Sequence, residues 1–419
     1  MLSFNRITTK KEFKDHITFD LILYTVLMLG GVILRTYMTH SVTIVWVVNA
    51  ISIFVCFFSY LRHLSKRTLV YAFIYFLFCL ITLFVNSQYI TRSLKSIGTN
   101  INIIIPLIYL AIIHYSYTRK PYSNQDISKL LNIISLLGII AFLFTWIVNF
   151  GDLLGAILGR IRIYRADIDG FFYNKNIYGA FISLSLAADL YLYGVSTNGK
   201  RIPLIVLKII AIALSFSRAA LLQAGIMIFT FLWTQKKHKK RDFFLLICFI
   251  ILLIVIVFTN ESIMLFIRNS ILRVSVGDAG RSLNRKRALE VVGANPLSLF
   301  LGVGFFGLDY LNIDIDNTYL YLLFTGGIVK IVFFIFVLVF SAKRIKEIRH
   351  SNSLLSRLSI SVFLSYLAYA FFESVAILEL GLLNFLNLFY ILLLPSGYSI
   401  NTLKDYDSIK ENNVQGEQL

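Results

Sequence analysis

Charge is what this sequence has least of. Of its 419 residues only 15% are charged, against roughly 25% in an ordinary soluble domain. Hydrophobic residues make up 58%, and mean hydropathy is +0.76. No single soluble core hides that much apolar surface, because cores stop growing near about 250–300 residues. The chain therefore reads as an integral membrane protein. Cysteine is scarce too: Cys56, Cys79 and Cys248 all lie inside apolar runs, which argues against a disulfide framework and against a Cys-ligated metal. Acidic residues number 22 against 40 basic ones, a surplus of +18. In a soluble protein that surplus would point to nucleic acid. Here the first question is how the charges divide between the two sides of a bilayer.

A spanning helix takes about 20 mostly apolar residues, since lipid offers no partner to a bare backbone. Such runs fall near 17–36, 42–61, 68–86, 100–117, 129–149, 175–194, 202–216, 218–234, 242–259, 317–341, 357–373 and 379–397. The expectation is an all-α polytopic bundle of about twelve transmembrane helices. Residues 1–400 form one membrane domain, and 401–419 form a polar, flexible cytoplasmic tail. The boundary around Ser215–Arg218 is the softest. Every short loop on one side is basic, including Arg62/Lys66/Arg67, Lys200/Arg201 and the Lys236–Arg241 run. The positive-inside rule makes that side cytoplasmic and puts both termini there. No cleavable signal is expected, because the polar start leads into a full-length span without a small-residue cleavage site.

The kinds of cation separate the two faces more sharply than their number does. The cytoplasmic set holds 15 Lys and 9 Arg, the external set 2 Lys and 11 Arg. Topology accepts either cation. Arginine's planar fork, however, binds phosphate bidentately and suits a partly desolvated anion. An external anion site is one reading; Arg paired with acidic loop residues is the other.

Two external segments exceed a connector. Gly151 to Asn174 carries Arg160, Arg162 and Arg165 among Asp152, Asp167 and Asp169. The larger loop, about 260–316, has structural periodicity: Ala288, Leu289, Val291 and Val292 predict a short amphipathic helix ending at Gly293 or before Pro296. Loops of this length in a compact protein are usually functional or disordered. Gly302-Val303-Gly304-Phe305-Phe306-Gly307 lacks the Lys-Ser/Thr and strand–turn–helix setting of a nucleotide loop. Asn312, Asp314 and Asp316 lack the Gly and Glu of an EF-hand. No HExxH, His/Cys cluster or Gly-x-Ser-x-Gly elbow is present, so no metal or other cofactor is expected.

Four segments together resemble one family. Gly170-Phe171-Phe172-Tyr173-Asn174-Lys175-Asn176-Ile177-Tyr178-Gly179 resembles the lead-in to a central helix of O-antigen polymerases and ligases. Ser215-Phe216-Ser217-Arg218-Ala219-Ala220 is similar to their Ser-x-Ser-Arg turn. Gly280-Arg281, Ala288-Leu289, Pro296 and Gly302-Val303-Gly304 resemble their long external loop. Asp316-Asn317-Thr318-Tyr319-Leu320 with Gly326-Gly327 looks like the start of the helix that follows. The matches come in the family's order over about residues 170–340; the first 150 residues match only in being membrane spans.

The resemblance implies a glycosyltransferase of polysaccharide biosynthesis, serving O-antigen (lipopolysaccharide) or capsule. It would act on the external face of a bacterial cytoplasmic (inner) membrane. Its partners would be undecaprenyl-diphosphate-linked oligosaccharides, membrane lipid and a separate chain-length regulator, with no nucleic acid. Carried over by position, Arg218 and Arg281 are the first candidates for binding the diphosphate. Arg160, Arg162 and Arg165 correspond by location only. Asn176 and Asn317 are further substrate-binding candidates, with helix capping the alternative for Asn176. For Arg218 the alternative is snorkelling, and for Arg281 a salt bridge within the loop.

The leaving diphosphate calls for cations and the acceptor hydroxyl for one general base. At Asp316 ligases usually carry His, which favours a polymerase and leaves the base open between Asp316 and Glu373. Lys208 and Lys330 lie in spans, where snorkelling explains them. A ligase is the nearer alternative. A lipid-linked oligosaccharide flippase is the further one, though no repeat between residues 1–200 and 200–400 is visible.

Overall fold

The computed structural model describes residues 124–157, 174–196, 200–234, 279–304, 307–308, 311–350, 352–375 and 382–395, with single positions 70, 77, 81 and 172. Among the described residues every regular element is helical, in keeping with the all-α expectation. The spans expected before residue 118 (three helical positions in the third excepted), the span near 242–259 and the tail from 401 lie outside them.

Helices α1 (Asn124–Val148) and α2 (Phe150–Ile157) come first, so the first external segment opens with two turns of helix rather than loop. Then follow α3 (Lys175–Ser196), α4 (Ile202–Leu214) and α5 (Arg218–Trp233). The large loop holds α6 (Ala279–Gly293) and α7 (Pro296–Leu301); α6 realises the helix that the Ala288–Val292 pattern predicts. The chain closes with α8 (Thr318–Glu347), α9 (Ser353–Tyr369) and α10 (Leu382–Leu388), which widens into a π-turn over Phe389–Leu393. Helices over Ile127–Val148, Lys175–Val195 and Thr318–Glu347 are long and apolar enough to cross a membrane. Helices α4, α5 and α9 are apolar but shorter, at 13, 16 and 17 residues, below the ~20 of a full crossing.

Helix α3 is the axis of the bundle. Every residue from Tyr178 to Leu192 is buried, as befits a helix surrounded by others. Its polar members are each satisfied: Ser183 donates to the Gly179 carbonyl at 2.9 Å and Ser185 to that of Ile134 at 3.0 Å. Tyr390 of the π-turn donates to the Leu184 carbonyl at 2.9 Å. Helices α5 and α9 pack beside it and bury small residues, Ala219, Ala220 and Ala224 on one and Ser359, Ser361 and Ser365 on the other. Small side chains let backbones approach where lipid supplies no hydrophobic drive between helices. By contrast, α8 exposes Val332, Ile335, Phe336 and Val339 along one side while burying Phe334, Val337 and Ser341 on the other. Apolar residues on both faces are the pattern of a helix between protein and lipid.

Lys208 does not snorkel. Its ammonium is buried against the Asp189 carboxylate, with Ser135 Oγ at 3.1 Å and the Ser185 carbonyl at 3.2 Å. Arg201 adds a second contact to Asp189 at 3.3 Å. This pairing ties α1, α3 and α4 together, because a buried charge without a partner would be far too costly to keep.

Helices α3, α5 and α8 begin, and α4 and α9 end, at one end of the bundle. A Cβ on Gly179 would lie 2.7 Å from both Ser215 Oγ and Ala220 Cβ. Tyr369 donates to the Asn176 carbonyl at 3.1 Å, and the Thr318 amide to that of Ala370 at 2.9 Å.

Candidate functional site

That shared end is where the sequence candidates gather. Helix α9 stops at Tyr369, and the chain turns through Phe371–Val375, so Glu373 lies past the helix rather than within a span. The turn is clamped to the start of α8. Asn317 caps that helix by accepting the Leu320 amide at 2.9 Å, and its own amide group donates to the Phe371 carbonyl at 2.8 Å. Thr318 donates to the Glu373 carbonyl at 2.6 Å and accepts the Val375 amide at 2.8 Å. Both ends of the Asn317 side chain thus serve the scaffold.

Held this way, the Glu373 side chain meets α3. Asn176 Nδ2 donates to Glu373 Oε1 at 2.5 Å. Capping of α3 falls to Asn174, whose Oδ1 accepts the Asn176 amide at 2.7 Å, leaving the Asn176 side chain free for the carboxyl. Asp316, one residue before the Asn317 cap, is bound by Arg281 of α6, Nε to Oδ2 at 2.7 Å. Arg281, for which a salt bridge within the loop is the alternative role, thus pairs with another candidate residue. Glu373 feels Asp316, Asp314 and Arg281 together. Burial first, then the Asp316 charge, raise its carboxyl to about 8; Arg281 pulls the other way, and Asp314 raises it further. Such a carboxyl exchanges its proton near neutrality, which is what acid–base work at physiological pH requires.

Arg218 opens α5 at the same end. The turn before it is built by Ser215, which donates to the Ile212 carbonyl at 2.6 Å, by Phe216 at a positive φ of 53°, and by Ser217, whose hydroxyl caps the Ala220 amide at 3.2 Å. The Arg218 side chain is exposed. Arg160, Arg162 and Arg165 lie outside the described residues. Among the described residues no group of three His, Cys, Asp or Glu is arranged to hold a metal ion.

The sequence reading missed Thr318, Tyr369 and Asn174 as the clamps of the site. It also missed Asp189, although an acid inside an apolar run marks a paired or functional group. Compared with known proteins, the chain matches no family model and no curated protein.

Proposed function

We propose that the chain is a bacterial polysaccharide polymerase, a polytopic protein of about twelve spans in the cytoplasmic membrane with its site on the external face. It transfers an oligosaccharide from undecaprenyl diphosphate to the terminal sugar hydroxyl of another lipid-linked repeat unit, for O-antigen or capsule. The observation that carries this reading is the junction of Asn176–Glu373 with Arg281–Asp316. These residues are up to 197 positions apart in the chain, and three of them lie in segments that resemble the O-antigen polymerase and ligase family.

In the reaction, the acceptor oxygen bonds to the donor's anomeric carbon as the bond from that carbon to the diphosphate oxygen breaks. Glu373 takes the hydroxyl proton, and undecaprenyl diphosphate leaves with the electron pair. Asn176 orients the Glu373 carboxylate. Arg281, held by Asp316, and Arg218 at the α5 start stabilise charge growing on the leaving group, the largest single contribution in reactions of this kind. Arg160, Arg162 and Arg165 join that cage in the proposal, and chain length is set by a separate regulator.

The test is the glycan profile of a deletion strain complemented with wild type, Arg281→Ala or Arg218→Ala. Collapse to single repeat units on the carrier lipid supports polymerisation. Normal-length polymer stranded on undecaprenyl diphosphate means a ligase. Repeat units held on the cytoplasmic face mean a flippase, a reading that the interruption of α8 at Gly327 would then favour.

A further inference from the structure

Between Glu290 and Asp309 the chain carries no Asp, Glu, Lys or Arg, an uncharged run from Val291 to Leu308 inside what the hydropathy pattern treats as an external loop. Helix α7 lies in this run. Only one side of it is packed: Ser298 and Leu301 are buried, whereas Leu297, Leu299 and Phe300 are exposed at 45%, 40% and 55%. A loop bathed in water has no use for such a side.

The docking position of α7 explains it. Helix α8 is interrupted at Gly327 (φ 64°, ψ −162°), and the end of α7 abuts the break. A Cβ on Gly302 would stand 2.4 Å from the Gly326 nitrogen, and one on Gly327 would stand 2.2 Å from the Phe300 oxygen. The Val303 amide donates to the Phe324 carbonyl at 2.6 Å. The break is nine residues past Thr318, about 13 Å along the helix at ~1.5 Å per residue. Immediately beyond it, Ile328 and Val332 continue the exposed apolar side of α8. The exposed side of α7 thus adjoins the lipid-facing side of a helix long enough to cross a membrane.

Two further features agree. Irregular backbone stands at membrane depth only where protein covers it, and the non-helical Gly302 and Val303 are buried, with Val303 fully so. Apart from Lys330, the neighbouring charges lie before or after the uncharged run. Lys286 and Arg287 project from α6 before the run begins. Lys330, the one charged residue of α8 before Lys343, folds back toward the helix start, its ammonium 3.0 Å from Thr325 Oγ1 and 5.8 Å from the Tyr321 ring centre.

We propose that α7 is a re-entrant membrane element, seated in the leaflet nearest the start of α8, with Leu297, Leu299 and Phe300 against acyl chains and Lys286 and Arg287 at headgroup level. The partner is the lipid surface itself. The element seals the broken helix from lipid and anchors α6, and with it Arg281, at the bilayer boundary. This inference rests on α8 crossing the membrane and is independent of the transferase reading.

The test is spin-label accessibility of the full chain in phosphatidylethanolamine/phosphatidylglycerol vesicles. Single cysteines replace Leu297, Leu299, Phe300, Val339 or Lys286 in a background with Cys56, Cys79 and Cys248 changed to Ala. Labels at Leu299 and Phe300 are expected to collide severalfold more with oxygen than with a water-soluble nickel chelate, matching Val339 and opposing Lys286. The Leu297 label repeats the measurement should either of the other variants fail to fold. Nickel access equal to that at Lys286 overturns the proposal in favour of a solvated loop. Labels immobilised and reached by neither reagent overturn it too, since protein rather than lipid would then cover α7.

Discussion

Asn176 Nδ2 lies 2.5 Å from Glu373 Oε1, so the first turn of the central helix is joined to a carboxyl 197 positions further along the chain. The contact depends on the clamp of Asn317 and Thr318 on the Glu373 turn. It gives the half-buried carboxyl a neutral donor, where Asp316 has the guanidinium of Arg281. The two acids therefore differ in environment: Asp316 is paired with a cation, and the Glu373 carboxyl is raised toward neutrality.

For the proposed transfer, a pH profile follows. A base at about 8 makes kcat/KM rise with pH and level off above that value. Glu373→Gln is expected to lower kcat on the order of 10²–10⁴-fold and to abolish the inflection. Because Arg281 lowers the Glu373 value and Asp316 raises it, Arg281→Ala moves the inflection up and Asp316→Asn moves it down. Rates of the purified variants over about two pH units on either side of that inflection check both shifts.

The same group shapes stability. Its folded value lies above the ordinary 4.5, so between 4.5 and about 8 the folded chain holds a proton that the unfolded chain has released. Stability then falls as pH rises across that window and is flat beyond it. Thermal unfolding in detergent should show the decline in wild type, and Glu373→Gln should lack that component.

Asp189 and Lys208 form the second buried polar junction. Removing one partner strands the other, at a cost of about 3–5 kcal/mol. Asp189→Asn and Lys208→Met should each lower the melting temperature, and the double variant should lose clearly less than the sum. Strict additivity in that cycle would show that the two side chains do not interact.

The paired glycines give a graded series. Gly302→Ala and Gly327→Ala meet backbone atoms at 2.4 and 2.2 Å and also sit at positive φ, so both should prevent stable folding. Gly304→Ala has the positive φ but open space, and should cost about 1–2 kcal/mol from the left-handed conformation alone. Gly225→Ala, mid-helix with nothing near, should gain up to about 1 kcal/mol. Expression level and melting temperature rank the four.

Much of this was legible in the sequence where a single local rule applied. Apolar runs announced α1, α3 and α8, and the Ala288–Val292 periodicity announced α6. Asp316, Arg281, Asn176 and Glu373 were each visible as candidates, yet their pairing was not. It depends on a turn after α9 folding back onto Thr318, a contact between residues 55 positions apart. Asp189 escaped because its partner Lys208 lies 19 positions on, in another helix, where no local rule pairs them. The depth of α7 escaped because a six-residue helix is too short for any hydropathy window to register.

The most direct measurement of the central claim uses the purified chain in lipid vesicles, supplied with lipid-linked repeat units extracted from the deletion strain. Wild type should build polymer on the carrier and release undecaprenyl diphosphate in step with each added unit, while Glu373→Gln releases none. Repeat units that cross the bilayer unchanged, with no polymer and no released carrier, would contradict the account.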